Sequence, residues 1–212
     1  DVDNSKQPNS RWYSGSGIYR DVNLWTGKGV YISHDKLRIT TLSVNDDMAV
    51  LEVCAQLKNI IGHGLEAECL IEIKKDGQKA ASNTQRVVFR SEQMQTVRVQ
   101  IPIEQPKKWS PAQPALYECH ITTKFDDKIC DEAVSNFGIR VLALDPVRGL
   151  QINGETVKLR GTCIHHDNGV IGAETFKEAE WYRCKRLKEA AFNEIRSAHH
   201  PMSRAMLDAC DH

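Results

Sequence analysis

The sequence contains no run of about 18 apolar residues, so it predicts no membrane-spanning helix. It also lacks an excess of either charge, because 28 lysines and arginines balance 28 aspartates and glutamates. Without a basic excess or a basic stripe, we expect no nucleic-acid partner. The seven cysteines include no Cys-x-x-Cys pair, so their spacing does not predict a zinc knuckle. We therefore expect neither a bound metal nor a cofactor.

The chain also lacks an initiator methionine and a charged-then-apolar leader. It opens at Asp1 with the polar, turn-rich segment "DVDNSKQPNSRWYSGSG". We interpret it as an internal part of a longer protein. Several of the cysteines fall at apolar positions of the strand and helix patterns, so we expect mostly reduced thiols that act as small core residues.

Short strand patterns separated by turn signals fill the first two thirds of the sequence. In "AVLEVCAQL", residues 49–57, polar and apolar side chains alternate with the period of a half-buried strand. Residues 17–25, "GIYRDVNLW", are also interpreted as β, "KDG" as a hairpin turn and "WSPAQP" as a loop. The series predicts an antiparallel sandwich of immunoglobulin-like type.

The pattern changes after Pro146. Asn153 and Gly154 mark the turn of a short hairpin, and Thr175 with Glu178 forms the T-x-x-E spacing of a capping box. A helix, a short strand and a second helix with Ser203 as its N-cap follow. The apolar side of the first helix is predicted from spacing to contain Phe176, Ala179, Tyr182, Leu187 and Ala190. This order predicts a mostly β chain in which the sandwich precedes the βαβα opening of a larger α/β domain.

Two polar clusters follow the predicted parallel strands, "HHDNG" after the first and "RSAHH" in the second. The ends of barrel strands carry the chemistry of (β/α)8 enzymes, so His165, Arg196 and His199 are candidates for donors to a polar ligand.

Plainer interpretations of these clusters stay open. The first cluster could be an ordinary turn closed by Gly169. His166 and His200 could be exposed bystanders, and Arg196 could pair with Glu194 on the same strand face. A metal site built on His165, His166 and His199 is disfavoured, because adjacent strand residues point to opposite faces.

Asn193 and Glu194 resemble a catalytic Asn-Glu pair. However, Glu194 falls early in its strand, below the rim where barrel enzymes place their chemistry. Glycosidases use two carboxylates, and no second carboxylate stands in a matching context here. We therefore predict no catalytic role for Glu194.

Longer motifs carry a resemblance to a known family. "SGSGIYRDVNLW", "WSPAQPALYECHI", "FGIRVLAL", "INGETVKLRGTCIHHDNGVIG" and "FNEIRSAHHP" occur in the order found in glycoside hydrolase family 2. The "HHDNG-x-x-G" form is most similar to the bacterial β-galactosidase-type members. The resemblance implies the end of a sugar-binding jelly roll over residues 1–28 and the immunoglobulin-like sandwich over 29–144. It also implies that residues 145–212 are the βαβα start of a truncated (β/α)8 barrel domain.

The same resemblance implies a function and a site. The whole protein would be a retaining exo-glycosidase, most similar to β-galactosidases and acting on a β-glycoside, and a homo-oligomer is compatible with it. The residues matched to the sugar subsite are His165, Asp167, Asn168, Arg196 and His199. Both catalytic glutamates would lie beyond His212, so we predict that this chain alone is inactive. The bacterial periplasm, exterior and cytoplasm are all compatible locations, and the alternative is a non-enzymatic spacer or carbohydrate-binding module.

Overall fold

The structure is a computed structural model that describes Lys6 and residues 17–90, 93–199 and 201–212. Most of the predicted jelly-roll segment, residues 1–5 and 7–16, lies outside the described residues, as does His200. The chain forms two compact units. One unit is Trp25–Thr156, and the other joins the residues up to Leu24 with Val157–His212.

The first unit contains the β-sandwich, whose eight strands pair in two antiparallel sheets. The strands are β1 (Val30–Ile32), β2 (Arg38–Val44), β3 (Met48–Asn59), β4 (Leu65–Lys75), β5 (Gln78–Phe89), β6 (Met94–Glu104), β7 (Leu116–Phe125) and β8 (Lys128–Gly138). In one sheet β3 pairs with β6 on one side and with β1 and β2 on the other. The second sheet has the order β5-β4-β7-β8.

Alternation along the strands places one face of each sheet in a common core. In β3, Leu51, Val53, Ala55 and Leu57 are fully buried, whereas the residues between them are only partly buried. The same core includes Ile71 of β4 and residues of β6 and β7. Because every second residue of a strand faces the same way, two sheets with this pattern bury their apolar faces together. The predicted sandwich is therefore confirmed.

Turn chemistry agrees with the sequence at several points. Asp76 and Gly77 both have positive φ angles between β4 and β5, as expected for a tight hairpin turn. Residues 106–115 form a loop, and Trp109 in it is held by a backbone hydrogen bond to the carbonyl of Ile139. The predicted loop over "WSPAQP" is confirmed.

A small three-stranded sheet follows the sandwich in the same unit. It consists of β9 (Leu142–Asp145), β10 (Gly149–Ile152) and β11 (Glu155–Thr156), all antiparallel. Asn153 and Gly154 both have positive φ angles between β10 and β11, which confirms the predicted turn. The Asn153 side chain donates to the carbonyl of Trp109 over 3.0 Å and so ties the hairpin to the preceding loop.

The prediction of β structure for residues 17–25 is wrong, because the segment contains no strand. A strand needs a neighbour to satisfy its backbone groups, and none pairs with this segment within the described part of the chain. Ile18, Val22 and Leu24 are each more than three-quarters exposed. The apolar content of the segment alone therefore did not predict its conformation.

The second unit contains two parallel strands and two helices in alternation. They are β12 (Gly161–Ile164), α1 (Lys177–Glu189), β13 (Glu194–Ser197) and α2 (Arg204–Asp211). The Ser203 side chain accepts a hydrogen bond from the Met206 backbone over 3.2 Å, so the predicted N-cap of α2 is confirmed. No helix in the described ranges has the length and apolar character to cross a membrane.

The predicted start of α1 is wrong. Its N-cap is Phe176, with no capping side-chain hydrogen bond. Thr175, the expected cap, lies one residue earlier and its hydroxyl is 3.2 Å from Nε2 of His166. The capping box fails because a tertiary partner takes the hydroxyl that the local motif requires.

The predicted apolar side of α1 is found only in part, because Ala179 and Leu187 are half-buried but Ala190 is exposed. Phe176 and Tyr182 are 51% and 65% exposed, whereas Glu180 is buried. The sulfur of Cys184, one turn after Glu180, contacts the Met206 sulfur of α2 at 3.2 Å. The helix therefore turns residues 180 and 184 inward, because α2 packs against this side.

Candidate functional site

Parallel pairing places the two polar clusters beside each other. In the register of β12 and β13, Gly161 faces Glu194 and Cys163 faces Arg196. His165 follows the end of β12, and His199 follows the end of β13 by two residues. Since parallel strands end at the same sheet edge, residues that were 34 positions apart in sequence, His165 and His199, become neighbours.

Three of the predicted site residues meet at this edge. Arg196 donates from Nη2 to Nδ1 of His199 over 3.4 Å, and the ring centroids of His165 and His199 are 5.7 Å apart in an edge-on arrangement. Arg196 Nη1 is also 3.5 Å from the sulfur of Cys163. Arg196 and His199 are exposed, and His165 is half-buried. The peptide bond before His199 is cis. We call Arg196, His199 and His165 the rim cluster.

The chemistry of the rim cluster is that of a donor array. A guanidinium can only donate, so Nδ1 of His199 accepts, and the neutral ring then carries its proton on Nε2. The cluster therefore presents a fixed positive charge beside an imidazole N–H donor. Such groups suit hydroxyl and carboxylate oxygens.

An open depression of about 510 Å³ adjoins the rim cluster. Its lining is Ser197, His199, Pro201, Met202 and Leu207. The lining combines the hydroxyl-bearing Ser197 and the His199 ring with the apolar side chains of the other three residues. This mixture suits a small ligand that has both a hydroxyl-bearing edge and an apolar face.

Glu194 occupies a different place from the rim cluster. Its side chain lies across Gly161 at the start of β12, so that a Cβ atom at position 161 would be 1.3 Å from Oε2 of Glu194. Arg196 contacts Cys163 and His199 rather than forming the ion pair with Glu194 that we considered. The glycine therefore makes room for the carboxylate.

The loop after β12 is held by Arg183 of α1. Arg183 donates to the carbonyl of Asp167 over 3.1 Å and to the side-chain oxygen of Asn168. The Asn168 amide donates to the carbonyl of Glu174 over 2.8 Å. These bonds give Asn168 a part in shaping the loop, and a sugar contact from Asp167 or Asn168 stays a prediction. Arg183, which sequence reasoning missed, carries no motif that could have singled it out.

Arg183 also lies 3.6 Å from the carboxylate of Glu180. The Glu180 side chain is 1% exposed. Burial raises the pKa of Glu180, and the nearby Arg183 guanidinium opposes this shift only in part. A charged carboxylate at this position is therefore costly to the fold.

His166 is not the exposed bystander that we considered. It is 7% exposed, with Thr175 at one ring nitrogen and the Tyr19 ring 5.4 Å away. Among residues 17–90, 93–199 and 201–212, no three His, Cys, Asp or Glu side chains are grouped to hold a metal ion.

Arg20 is a further residue that sequence reasoning missed. It donates to the carbonyl of Pro201, in the turn between β13 and α2. Arg20 lies within the motif "GIYRD", but we assigned this motif only to the end of a preceding domain. Tyr19 and Arg20 therefore belong to the surroundings of β12 and β13 in this structure.

A comparison with models of protein families shows which family the chain belongs to. The model of "Glycosyl hydrolases family 2" matches residues 30–140, which is more than half of the chain. The chain belongs to glycosyl hydrolases family 2. This match confirms the family resemblance seen in the motifs, and it covers the β-sandwich of the first unit.

Individual relatives extend the similarity to nearly the whole chain. A β-galactosidase from Bacteroides ovatus, BoGH2A, is 33% identical over 99% of the chain, and a β-glucuronidase from Bacteroides fragilis is 28% identical over 92%. A crystal structure of a glycosyl hydrolase family 2 member from Bacteroides cellulosilyticus has a TM-score of 0.90, with 33% identity over 98% of the chain.

The chain spans only about a quarter of these relatives. It corresponds to 25% of the B. ovatus enzyme, 29% of the B. fragilis enzyme and 29% of the B. cellulosilyticus chain. The two curated relatives carry different activities in their names. The comparisons therefore identify a glycoside hydrolase family without choosing the sugar.

Proposed function

We propose that this chain contributes the immunoglobulin-like domain and the opening of the catalytic barrel to a retaining exo-glycosidase. In this proposal residues 1–28 end a jelly roll, 29–144 form the sandwich and 145–212 begin a (β/α)8 barrel. The observation that carries it is the meeting of Arg196, His199 and His165 at the ends of two parallel strands, in a chain of this family. Barrel enzymes build their sites at this end of the strands.

The rim cluster would bind the terminal sugar of a β-glycoside. Arg196 and the Nε2 proton of His199 would donate to oxygens of the sugar, and His165 would complete the array beside them. The apolar lining of the adjoining depression, including Met202 and Leu207, would contact the C–H face of the ring. These groups would orient the sugar but not break the glycosidic bond.

The bond-breaking step needs two carboxylates about 5–5.5 Å apart in a retaining enzyme, one as nucleophile and one as acid and base. Glu194 lies against Gly161 near the start of β12 and not in the rim cluster. We therefore assign both carboxylates to barrel strands outside this sequence. A β-galactoside is the proposed substrate, because the "HHDNG-x-x-G" motif has the β-galactosidase form and BoGH2A is a β-galactosidase.

Activity assays test the proposal in two parts. The 212-residue chain should not release nitrophenol from nitrophenyl β-galactoside or β-glucuronide. A longer protein that continues the barrel after His212 should hydrolyse one of them, with the galactoside preferred. Turnover by the short chain that survives Glu194→Gln would overturn the assignment of the carboxylates. A longer protein without activity on any β-glycoside would favour the spacer or binding module.

A further inference from the structure

Two cysteines on neighbouring helices lie close together outside the rim cluster. Cys184 of α1 and Cys210 of α2 have their sulfur atoms 3.9 Å apart, and both are free thiols. Cys184 is half-buried and Cys210 is exposed. The pair combines a sulfur that solvent can reach with one held in place by the Met206 sulfur at 3.2 Å.

We propose that Cys184 and Cys210 form a reversible disulfide that joins α1 to α2 when the protein meets a low-molecular-weight disulfide such as oxidised glutathione. The sulfurs would have to approach by about 1.9 Å, from 3.9 Å to the bond length of about 2.05 Å. Rotation of the exposed Cys210 side chain toward Cys184 is a short movement at the last turn of α2.

The surroundings of the two thiols assign them different parts in the exchange. Cys210 is exposed, so a disulfide in solution reaches its sulfur more readily than that of half-buried Cys184. The contact with Cys210, together with burial, also raises the pKa of Cys184. The thiolate is the nucleophile in thiol–disulfide exchange, so Cys210 attacks first.

The exchange balances in two steps. The Cys210 thiolate attacks one sulfur of oxidised glutathione, whose disulfide bond breaks and releases a glutathione thiolate. Cys184 then gives up its proton and attacks the Cys210 sulfur of the mixed disulfide, which releases the second glutathione. Two protein thiols are oxidised, one molecule of oxidised glutathione is reduced to two of glutathione, and no other oxidant is needed.

The bond would close a loop that contains β13, Arg196 and His199. It would tie the two helices that flank this segment in sequence. A cross-link of this kind removes conformations from the open state of the loop. We therefore expect the amides of α2 to exchange with solvent more slowly after oxidation.

The test uses the 212-residue chain at low concentration with oxidised glutathione, followed by an acid quench, alkylation of free thiols and non-reducing peptide mass spectrometry. We expect one cross-linked peptide pair containing Cys184 and Cys210, which dithiothreitol removes. Cys184→Ser should stop the reaction at a glutathione adduct on Cys210. Cys163→Ser, a change at another exposed cysteine, should leave the cross-link unchanged.

Two outcomes would overturn the proposal. One is that Cys210 becomes glutathionylated in the unaltered chain without resolving to a cross-link. The other is that Cys210 pairs with a different cysteine or with a second chain. Should Cys184→Ser fail to fold, hydrogen exchange of α2 in the monomer before and after oxidation of the unaltered chain decides the same point. The bond to α1 should slow this exchange, whereas a glutathione adduct on Cys210 should not.

Discussion

Arg196 donates to Nδ1 of His199 over 3.4 Å, three residues further along the chain. The contact joins the middle of β13 to the turn that follows it. It also fixes which nitrogen of His199 carries the proton, because the guanidinium has no lone pair to offer.

The tautomer of His199 is therefore our first prediction. Nitrogen-15 NMR of the imidazole rings at mildly alkaline pH should show His199 as the Nε2–H tautomer. Arg196→Met should lower the population of this tautomer toward that of a free histidine, whereas Arg38→Met, a change at an exposed arginine of β2, should leave it unchanged. An Nδ1–H tautomer in the unaltered chain would contradict the arrangement of the rim cluster.

The second prediction concerns Thr175 and the failed capping box. Thr175→Val removes the hydrogen bond to buried His166. We therefore expect the free energy of local unfolding of α1 and its preceding loop to fall by about 0.5–1.5 kcal/mol. Glu178→Gln, the partner residue in the motif, should change stability by less than about 0.5 kcal/mol. Hydrogen exchange of the α1 amides measures both. Equal losses of stability in the two variants would indicate that Thr175 and Glu178 do form a capping box, and would contradict this explanation.

The third prediction is a pH dependence that comes from Glu180. Its pKa is raised in the folded state, so the folded chain binds a proton that the unfolded chain releases. Stability of α1 should therefore be full below the unfolded pKa of about 4.3 and should fall as the pH rises through the folded pKa.

Glu180→Gln should flatten this slope and protect α1 at neutral pH. The measurement is hydrogen exchange of α1 across this pH window, corrected for the intrinsic exchange rate. Glu189→Gln, a change at the exposed end of the same helix, is the control. Faster exchange of the α1 amides in Glu180→Gln at neutral pH would contradict the prediction. It would show that the ion pair with Arg183 stabilises the fold by more than the burial of the carboxylate costs.

The fourth prediction is that the sandwich is an independent cooperative unit. We expect slow hydrogen exchange in β3 and β7 and faster exchange in β13. Leu51→Ala should destabilise the sandwich by about 2–5 kcal/mol, because Leu51 is fully buried in its core. Gln56→Ala, a change on the other face of β3, should have little effect. Equal protection of β3 and β13 in a dilute monomer would contradict the independence of the unit.

Prediction from the sequence succeeded where the local structure depended on neighbouring residues alone. Alternation in β3, the Asn153–Gly154 turn and the Ser203 cap all depend on neighbours within a few residues, and all three are found. It failed where a distant group intervened. Thr175 bonds to His166 instead of capping α1, and Glu180 is buried whereas Tyr182 is exposed.

The rim cluster was predicted only in part from the sequence. His165, Arg196 and His199 could be named because they follow strand patterns, and their meeting follows from parallel pairing. The hydrogen bond from Arg183 to the loop after β12 could not be predicted, since it depends on how α1 lies against that loop. The same is true of the Cys184 and Cys210 contact, which needs the packing of two helices.

Steady-state kinetics of the longer protein tests the central claim most directly. With nitrophenyl β-galactoside, Arg196→Ala should lower kcat/KM by about ten- to a hundredfold, the loss expected when one charge-assisted hydrogen bond of about 1.5–3 kcal/mol disappears. His199→Ala removes a neutral donor, so we expect a smaller loss of about two- to tenfold, as for a hydrogen bond of about 0.5–1.5 kcal/mol. Arg38→Ala and His63→Ala, two changes in the sandwich unit, should leave kcat/KM unchanged. Rim-cluster variants that retain full kcat/KM while the protein hydrolyses the substrate would contradict the claim that this cluster binds the sugar.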